Sequence, residues 1–475
     1  MSEKIDLSTL PELASVESQD VMLGYSKSGK KFGFIPVSFV TAEGYACRRW
    51  DMTKSTPVGE AVGNIDYLRK LPSLLGLGCY LVDRNHGRRK LDPTNHYKFA
   101  TGEAAALDGS MGDYMWGWGT KWYYAWWTEG NYFYEAASLK PIPGRWNYTI
   151  PVGSMSALGV SVVDRENLEL VSVVSNAAKY RGGNNDATKD GKYNTLLGRA
   201  ATALDAATFG SYARKKGDGW EGWWYAHSGI LGALFRIIFG VRSVQTAYNA
   251  NKDANGLYQG GFGAGVTAFS DTVWNEKFAY YPFLPTSVGV ELGDSCGTVS
   301  YTVKDDDDNA LGTVSVPVFF GLKNFYGYLG RLGRGELINK KEGGGGDLYV
   351  VPRLHSSYSM SSLNGLVKAA EIPAAATAST WEYIQQISMN HLCHCPTVAG
   401  APATGTTYYG DGFYNDNAVS GLRVPSRGGF GIYGAIAGLE YFIANYGVSS
   451  AIGHVGSPLC EAEEDWDTTP TLVPA

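Results

Sequence analysis

The chain has 475 residues, of which 44% are hydrophobic and 18% charged, with a formal net charge of -6. That balance excludes a disordered chain, and Lys and Arg gather no further than RNHGRRK and ARKKG, so the basic footprint of a nucleic-acid binder is missing. Its 61 Gly, 31 Tyr and 13 Trp exceed ordinary usage and point to a loop-rich protein with aromatic surfaces.

At about 100 to 200 residues per domain, a chain of this length calls for several units. The opening MSEKIDLSTLPELASV lacks the apolar core of a signal peptide, and no window approaches the roughly 18 apolar residues of a membrane span. A soluble protein made in a cytosol, without membrane insertion, is the expectation. Cys47, Cys79, Cys296, Cys393, Cys395 and Cys460 are too sparse for a disulfide scaffold and read as mostly reduced and buried.

Residues 1–42 hold QDVMLGYSKSGKKFGFIPVSFV, a hairpin turned at Ser-Gly-Lys-Lys. It is too small to fold alone, so this segment is either a piece that docks on a larger partner or a flexible leader. Residues 43–190 form an aromatic, Gly-rich β and loop region. There Trp116, Trp118, Trp122, Trp126 and Trp127 crowd into MWGWGTKWYYAWWTEGNYFYEAA. Such rings make either a sugar-stacking platform or, more economically, the core of a loop-rich domain.

From 191 the chain turns helical. AATALDAATFGSYARKK and HSGILGALFRIIFGVRSVQTAYN carry apolar residues at helical spacing, the second placing Leu231, Leu234, Ile237 and Ile238 on one face. GTVSYTV and GTVSVPVFFG then make a hairpin with an acidic tip, KDDDDN. Asp305, Asp307 and Asn309 alternate there as in a calcium loop, but the Gly and distal Glu of such a loop are absent, so a solvated tip competes with a weak calcium site. Gly343 to Gly346 read as a flexible loop, and GGFGAG and GRLGRG as turns. In HLCHC, His391, Cys393, His394 and Cys395 offer soft ligands at a spacing that zinc sites seldom use. No motif names a catalytic nucleophile or base, and Glu221 near Asp218 is only one of several carboxylate pairs. Residues 466–475 read as a tail.

The run GGFGIYGAIAGLEYFIANYGVSSAIGHVGS, residues 428–457, fits neither period 2 nor period 3.6, which excludes a helix or one long strand. Its frame is Arg423, Arg427, Gly428 and Gly429, then Gly434, Ala437, Gly438 and Leu439, then Val455, Gly456 and Ser457. This frame resembles the end of the C-type lectin-like domain in proteins diversified by retroelements, including phage receptor-binding proteins of the major tropism determinant type. That domain is related in fold to formylglycine-generating enzymes. IIFGVRSVQTAYN followed by GLYQGGFGAGVT is similar to the family's core helix, ending in Gln, and its glycine turn.

The resemblance implies an α+β fold, mostly β and loop-rich: an N-terminal β attachment segment (1–42), a middle domain (43–190), a C-type lectin-like domain with two helices (191–465) and a tail (466–475). It further implies a phage virion adhesin, on the virion surface as a tail or head fibre. Its partners would be a host cell-surface protein or glycan and, through the N-terminus, other virion proteins. A homotrimer is implied, with neither catalysis nor a cofactor. Adenine-directed mutagenesis of codons such as AAC cannot yield Met, Trp, Lys, Gln or Glu, and Glu440 is the sole member of that set from Phe430 to His454. Glu440 is therefore expected to be fixed. The exchangeable, solvent-facing ligand-binding positions would be Phe430, Ile432, Tyr433, Ala435, Ile436, Tyr441, Ile443, Asn445, Tyr446, Val448, Ser450, Ile452 and His454. The rival readings are a structural decoration protein of a capsid, a glycan-cleaving tailspike and a formylglycine-generating-like oxidase.

Overall fold

Apolar and aromatic residues alternate with smaller or polar ones in short runs punctuated by glycine, and such runs pair into sheets rather than coil into helices. The computed structural model describes residues 21–26, 31–36, 44–175, 177–180, 200–265, 288–304, 309–376 and 379–474. Among these the fold is α+β and dominated by β-sheet, with three α-helices. Met1–Tyr45 and Ala46–Ala475 are separate compact units. In the first, Val21–Ser26 pairs antiparallel with Lys31–Pro36, the hairpin expected from the alternation; its turn lies outside the described residues.

The second unit has no boundary near 190. A seven-stranded sheet runs in the order Trp220–Glu221, Cys460–Ala462, Gly153–Ser156, Asp113–Trp118, Gly78–Val82, Arg88–Asp92 and Asn95–Phe99. A six-stranded sheet takes Thr471–Leu472 onto Trp146–Ile150, followed by Trp122–Glu129, Tyr132–Ser138, Ala46–Asp51 and Glu60–Gly63. Segments expected to belong to different domains thus share ladders, because the change in composition along the chain marks where aromatics concentrate and not where the core divides. The expected tail is likewise built in, since Trp466 is buried and rests its ring edge-on against Trp118.

Trp116, Trp118 and Trp122 are fully buried, so the core reading of the aromatic region holds for them. Trp127 is half-buried, but Tyr134 stacks on its ring at 5.0 Å and the Arg145 guanidinium lies 4.3 Å from its centroid. Both contacts cover ring surface that a sugar would need.

Helix α1 (Ile65–Leu75) is capped by Asn64, whose side chain accepts from Tyr67 N at 2.9 Å. Helix α2 (Ala206–Arg214) is capped by Asp205 in the same way through Thr208 N. Helix α3 (Tyr225–Phe239) ends at Gly240, in the left-handed region at φ 69°. The sequence pattern suggests one apolar face on α3, but every residue of it is buried. It is a central helix packed on all sides.

A ten-stranded sheet carries the C-terminal half. Its main path runs Val367–Ile372, Gly346–Val350, Glu336–Lys340, Gly421–Arg427, Phe442–Gly447, Gly412–Tyr414, Trp381–Ser388 and Cys395–Ala399, and Gly330–Leu332 bridges Gly421–Arg427 to Val455–Gly456. GRLGRG is therefore part strand, not only turn. The glycine run at 343–346 is not slack either: Asn415 Nδ2 donates to Gly344 O at 2.6 Å, and a β-carbon on Gly344 would meet Asn417 Oδ1 at 1.9 Å. The acidic hairpin pairs Gly297–Lys304 with Ala310–Phe319 as expected. Asp305 and Asp307 lie outside the described residues, and Asn309 is exposed.

The packing of α3 is tightest at Gly229, where a β-carbon would sit 1.8 Å from Leu392 O. Because that neighbour is backbone, Gly229→Ala is expected to destabilise the protein by about 2 kcal/mol or more despite the better helix propensity of Ala. The unfolding midpoint in denaturant, compared with that of Ala233→Gly at a roughly 1 kcal/mol cost, measures it.

Candidate binding surface

The frame residues of the 428–457 run are held from beneath. Arg427 is buried and forms a two-pronged pair with Glu336, Nη2 to Oε2 at 2.5 Å and Nε to Oε1 at 3.1 Å, while its Nη1 donates to His394 O at 2.7 Å. Arg423 is half-buried and donates to Leu422 O, so the two arginines of the frame do different work. Gly429, at φ 74°, lets Ala437 approach to where a β-carbon would stand 2.6 Å from Ala437 Cβ. At Gly438 a β-carbon would overlap the Asp411 carboxyl. Gln245, beyond the end of α3, donates its amide to Ala437 O.

Glu440, expected to be fixed, is buried and accepts from Arg236 Nη1 and His394 Nδ1, while its backbone N–H donates to Asp411 Oδ2 at 2.7 Å. Arg236 completes its fork on Glu135 at 2.7 and 2.8 Å. Burial, then the Arg427 charge, hold His394 below the ordinary imidazole range. It is therefore neutral at pH 7, donating from Nδ1 to Glu440 and accepting the Ser228 hydroxyl at Nε2 over 2.7 Å. For Glu440 burial pushes the carboxyl up, but the adjoining His394 ring and then the charge of Arg236 outweigh it and hold the group below the usual carboxylate range.

Ser228, His394 and Glu440 thus stand in the order of an acyl-transfer triad. All three are buried, with exposures of 3%, 1% and 3%, so no substrate carbonyl reaches the Ser228 hydroxyl. The arrangement is a core polar network. HLCHC likewise disperses: His394 serves Glu440, Cys393 Sγ donates to Glu336 Oε2 at 3.3 Å, and Cys395 Sγ faces Pro396 O. All six cysteines are free, and all but the half-buried Cys296 are buried.

The thirteen positions expected to face solvent do not behave as one set. Phe430, Tyr441 and Ile443 are buried at 7%, 0% and 5% exposure, which corrects the expectation for them. Tyr441 precedes the strand Phe442–Gly447 and Ile443 lies in it, and because Phe442, Ile443 and Ala444 are all buried, both faces of that end of the strand meet the core. Asn445 is tied down: its Oδ1 accepts from Lys340 Nζ at 2.8 Å and from Asp416 N at 3.0 Å. Tyr446, Val448 and Ile452 are half-buried against the cluster of Ala206, Leu332, Val424 and Val455, and Ile432 against that of Val160, Val316 and Leu329. His454 stacks on Phe430 at 3.9 Å, and burial takes its imidazole down to about 4. Ser450 is half-buried in the turn closed by its N–H to Gly447 O.

Tyr433, Ala435 and Ile436 remain at the surface around the short 3-10 turn Gly434–Ile436, with Ala435 exposed. Here the structure adds residues that the sequence did not single out. Trp381 packs at 4.9 Å from Tyr433, 5.1 Å from Tyr414 and 5.2 Å from Tyr441, and Gly412 leaves room for both Trp381 and Ile436. Trp381, Tyr414 and Tyr433 are half-buried, the first two on strands and Tyr433 at the start of the 3-10 turn. The available signal was a Trp opening the alternating run WEYIQQIS.

Neither a protein-family model nor a curated protein matches this sequence.

Glu440, with its pKa depressed in the folded state, contributes stability that is fully present above the unfolded value of about 4.3 and is lost as pH falls below it. The wild-type protein is therefore expected to lose stability on acidification below about pH 4.3. Glu440→Gln, which also leaves part of the Arg236 charge uncompensated, should be less stable at pH 7 and show a shallower loss in that acid window. Denaturant midpoints as a function of pH for both proteins test this.

Proposed function

We propose that this chain is an adhesin of a phage virion that binds a host-surface protein or glycan through the surface around Trp381, Tyr414 and Tyr433, without catalysis. The observation that carries the reading is a partly exposed aromatic cluster, Trp381 and Tyr414 on neighbouring strands and Tyr433 on a turn flanked by Arg427 and Glu440, both held in buried ion pairs. Rigid aromatic rings give large contact area at low entropic cost, and a fixed floor means little ordering is left to do on binding. In this reading the C-terminal half is a lectin-like domain. The Gln245 bond to Ala437 O and the helices α2 and α3 beneath the 428–457 run support that assignment, alongside the resemblance of the sequence frame.

The exchangeable set narrows to Ile432, Tyr433, Ala435, Ile436, Tyr446, Val448, Ser450, Ile452 and His454, with Phe430, Tyr441, Ile443 and Asn445 joining Glu440 as scaffold. The N-terminal unit attaches the protein to other virion proteins, and a homotrimer multiplies weak contacts into durable attachment. Host-cell attachment by the purified protein is the direct measurement. Tyr433→Ala and Trp381→Ala are each expected to weaken binding by ~30-fold or more, the scale of a hot-spot residue. Ala435→Arg should block binding with an unchanged thermal midpoint. Retained binding in all three would overturn the assignment of the surface. Sequencing the locus across a population separates the second part of the reading: codons of the narrowed set vary while 441, 443 and 445 stay constant, and invariance throughout the run would sink diversification.

A further inference from the structure

Away from the 428–457 surface, three buried side chains of unlike chemistry converge beside the seven-stranded sheet. Cys79 stands on the inner strand Gly78–Val82, His96 on the edge strand Asn95–Phe99, and Asp294 on the turn that follows the 3-10 helix Val290–Leu292. One ligand atom from each, the thiol sulfur, an imidazole nitrogen and a carboxylate oxygen, all lie within 4.8 Å of one another. Cys79 and His96 are fully buried, and the Asp294 side chain is 10% exposed.

We propose that Cys79, His96 and Asp294 bind one zinc(II) ion, with the fourth position of its tetrahedron left to water or a backbone carbonyl. Sulfur, nitrogen and oxygen donors together suit a borderline-soft divalent ion and not calcium or magnesium, which take oxygen only. A thiolate and a carboxylate offset the charge of a divalent cation while the imidazole stays neutral, and Lys90 Nζ, 4.0 Å from Asp294 Oδ2, and the buried Lys323 stand beside the set.

The surroundings are those of a built ligand set. The outer nitrogen of His96, Nδ1, lies 2.5 Å from the Tyr114 hydroxyl, which leaves Nε2, 3.0 Å from Asp294 Oδ1, facing the other ligands. A ligating histidine ordinarily has its second ring nitrogen held in this way, which fixes tautomer and ring plane. Lys323 Nζ, donating to the Tyr114 hydroxyl at 2.6 Å and to Gly321 O at 3.0 Å, fixes the phenol in turn. Asp294 is aimed by its backbone, whose N–H donates to Pro93 O at 2.8 Å, and by Cys79 N, which donates to Oδ1 at 2.9 Å.

There is also room. Gly321 adopts φ +91°, and the point its β-carbon would occupy lies 2.7 Å from Cys79 Sγ, 3.1 Å from Asp294 Oδ1 and 3.1 Å from Gly293 O. A side chain would fill the space beside two of the ligands, and Gly293 O supplies an oxygen on the same side. Such an ion would pin the turn at Asp294 to a sheet strand 215 residues earlier in the chain, so its binding energy would be stability of the fold.

The test uses the full chain, stripped with chelator and titrated with zinc alone, then with cobalt(II) as a spectroscopic stand-in. The expected result is one zinc per chain by elemental analysis, a higher thermal midpoint on loading, and a thiolate-to-cobalt charge-transfer band. Cys79→Ser should abolish that band and weaken zinc binding by ~100-fold or more, whereas Cys460→Ser, buried elsewhere, should change neither. If Cys79→Ser fails to fold, Tyr114→Phe serves instead: it keeps all three ligands, removes the partner of His96, and should weaken zinc binding by roughly 10- to 100-fold. A folded wild-type chain that takes up no stoichiometric zinc, or a cobalt band that persists in Cys79→Ser, would reduce the cluster to a hydrogen-bonded network and overturn the proposal.

Discussion

Arg236 is a guanidinium enclosed in the last turn of a helix that has no exposed side, and everything around it must answer that charge. Its fork reaches Glu135 on the strand Tyr132–Ser138 and Glu440 at the foot of the 428–457 run, residues 101 and 204 positions away. The other polar groups of α3 act in the same sense, with Ser228 on His394 and His227 Nε2 3.0 Å from Glu461 O. Buried pairs of this kind give little net stability over apolar packing, but removing one partner is costly because the other charge is stranded. They therefore select one arrangement of distant segments more than they strengthen it.

The surface inherits its rigidity from that floor. Residues 437–440 are gripped through Gln245, Asp411, Arg236 and His394 in succession, and Arg427 fixes the incoming strand on Glu336. The turn between them, carrying Tyr433, Ala435 and Ile436, can then present different side chains without its backbone being redefined each time. Tyr441 and Ile443 stand apart from such positions because both are buried just after Glu440.

What the sequence disclosed was what is local. The acidic hairpin followed from alternation and the helices α2 and α3 from apolar spacing. The burial of Glu440 against Arg236 is a long-range fact that no spacing shows. The burial of Tyr441 and Ile443 depended on long-range packing against both faces of the start of the strand Phe442–Gly447, which a run broken by glycine does not reveal. Trp381 and Tyr414 escaped notice because they meet only across a strand ladder and against Tyr433 and Tyr441, from segments far apart in sequence. The absence of a boundary near 190 was illegible for a related reason, since strand partners hundreds of residues apart leave no mark in composition.

That last feature governs how the protein comes into being. Cys460–Ala462 fills the slot between Gly153–Ser156 and Trp220–Glu221, and Ser154 and Glu461, bonded to each other across it, are 307 residues apart. At translation speeds of about 5 to 20 residues per second, the slot stands open for roughly 15 to 60 s while the rest of the chain emerges. Throughout that interval an unpaired strand edge beside several tryptophans is uncovered, so the nascent chain is exposed to mispairing until Cys460–Ala462 has emerged, and its yield is set by what shields that edge in the meantime.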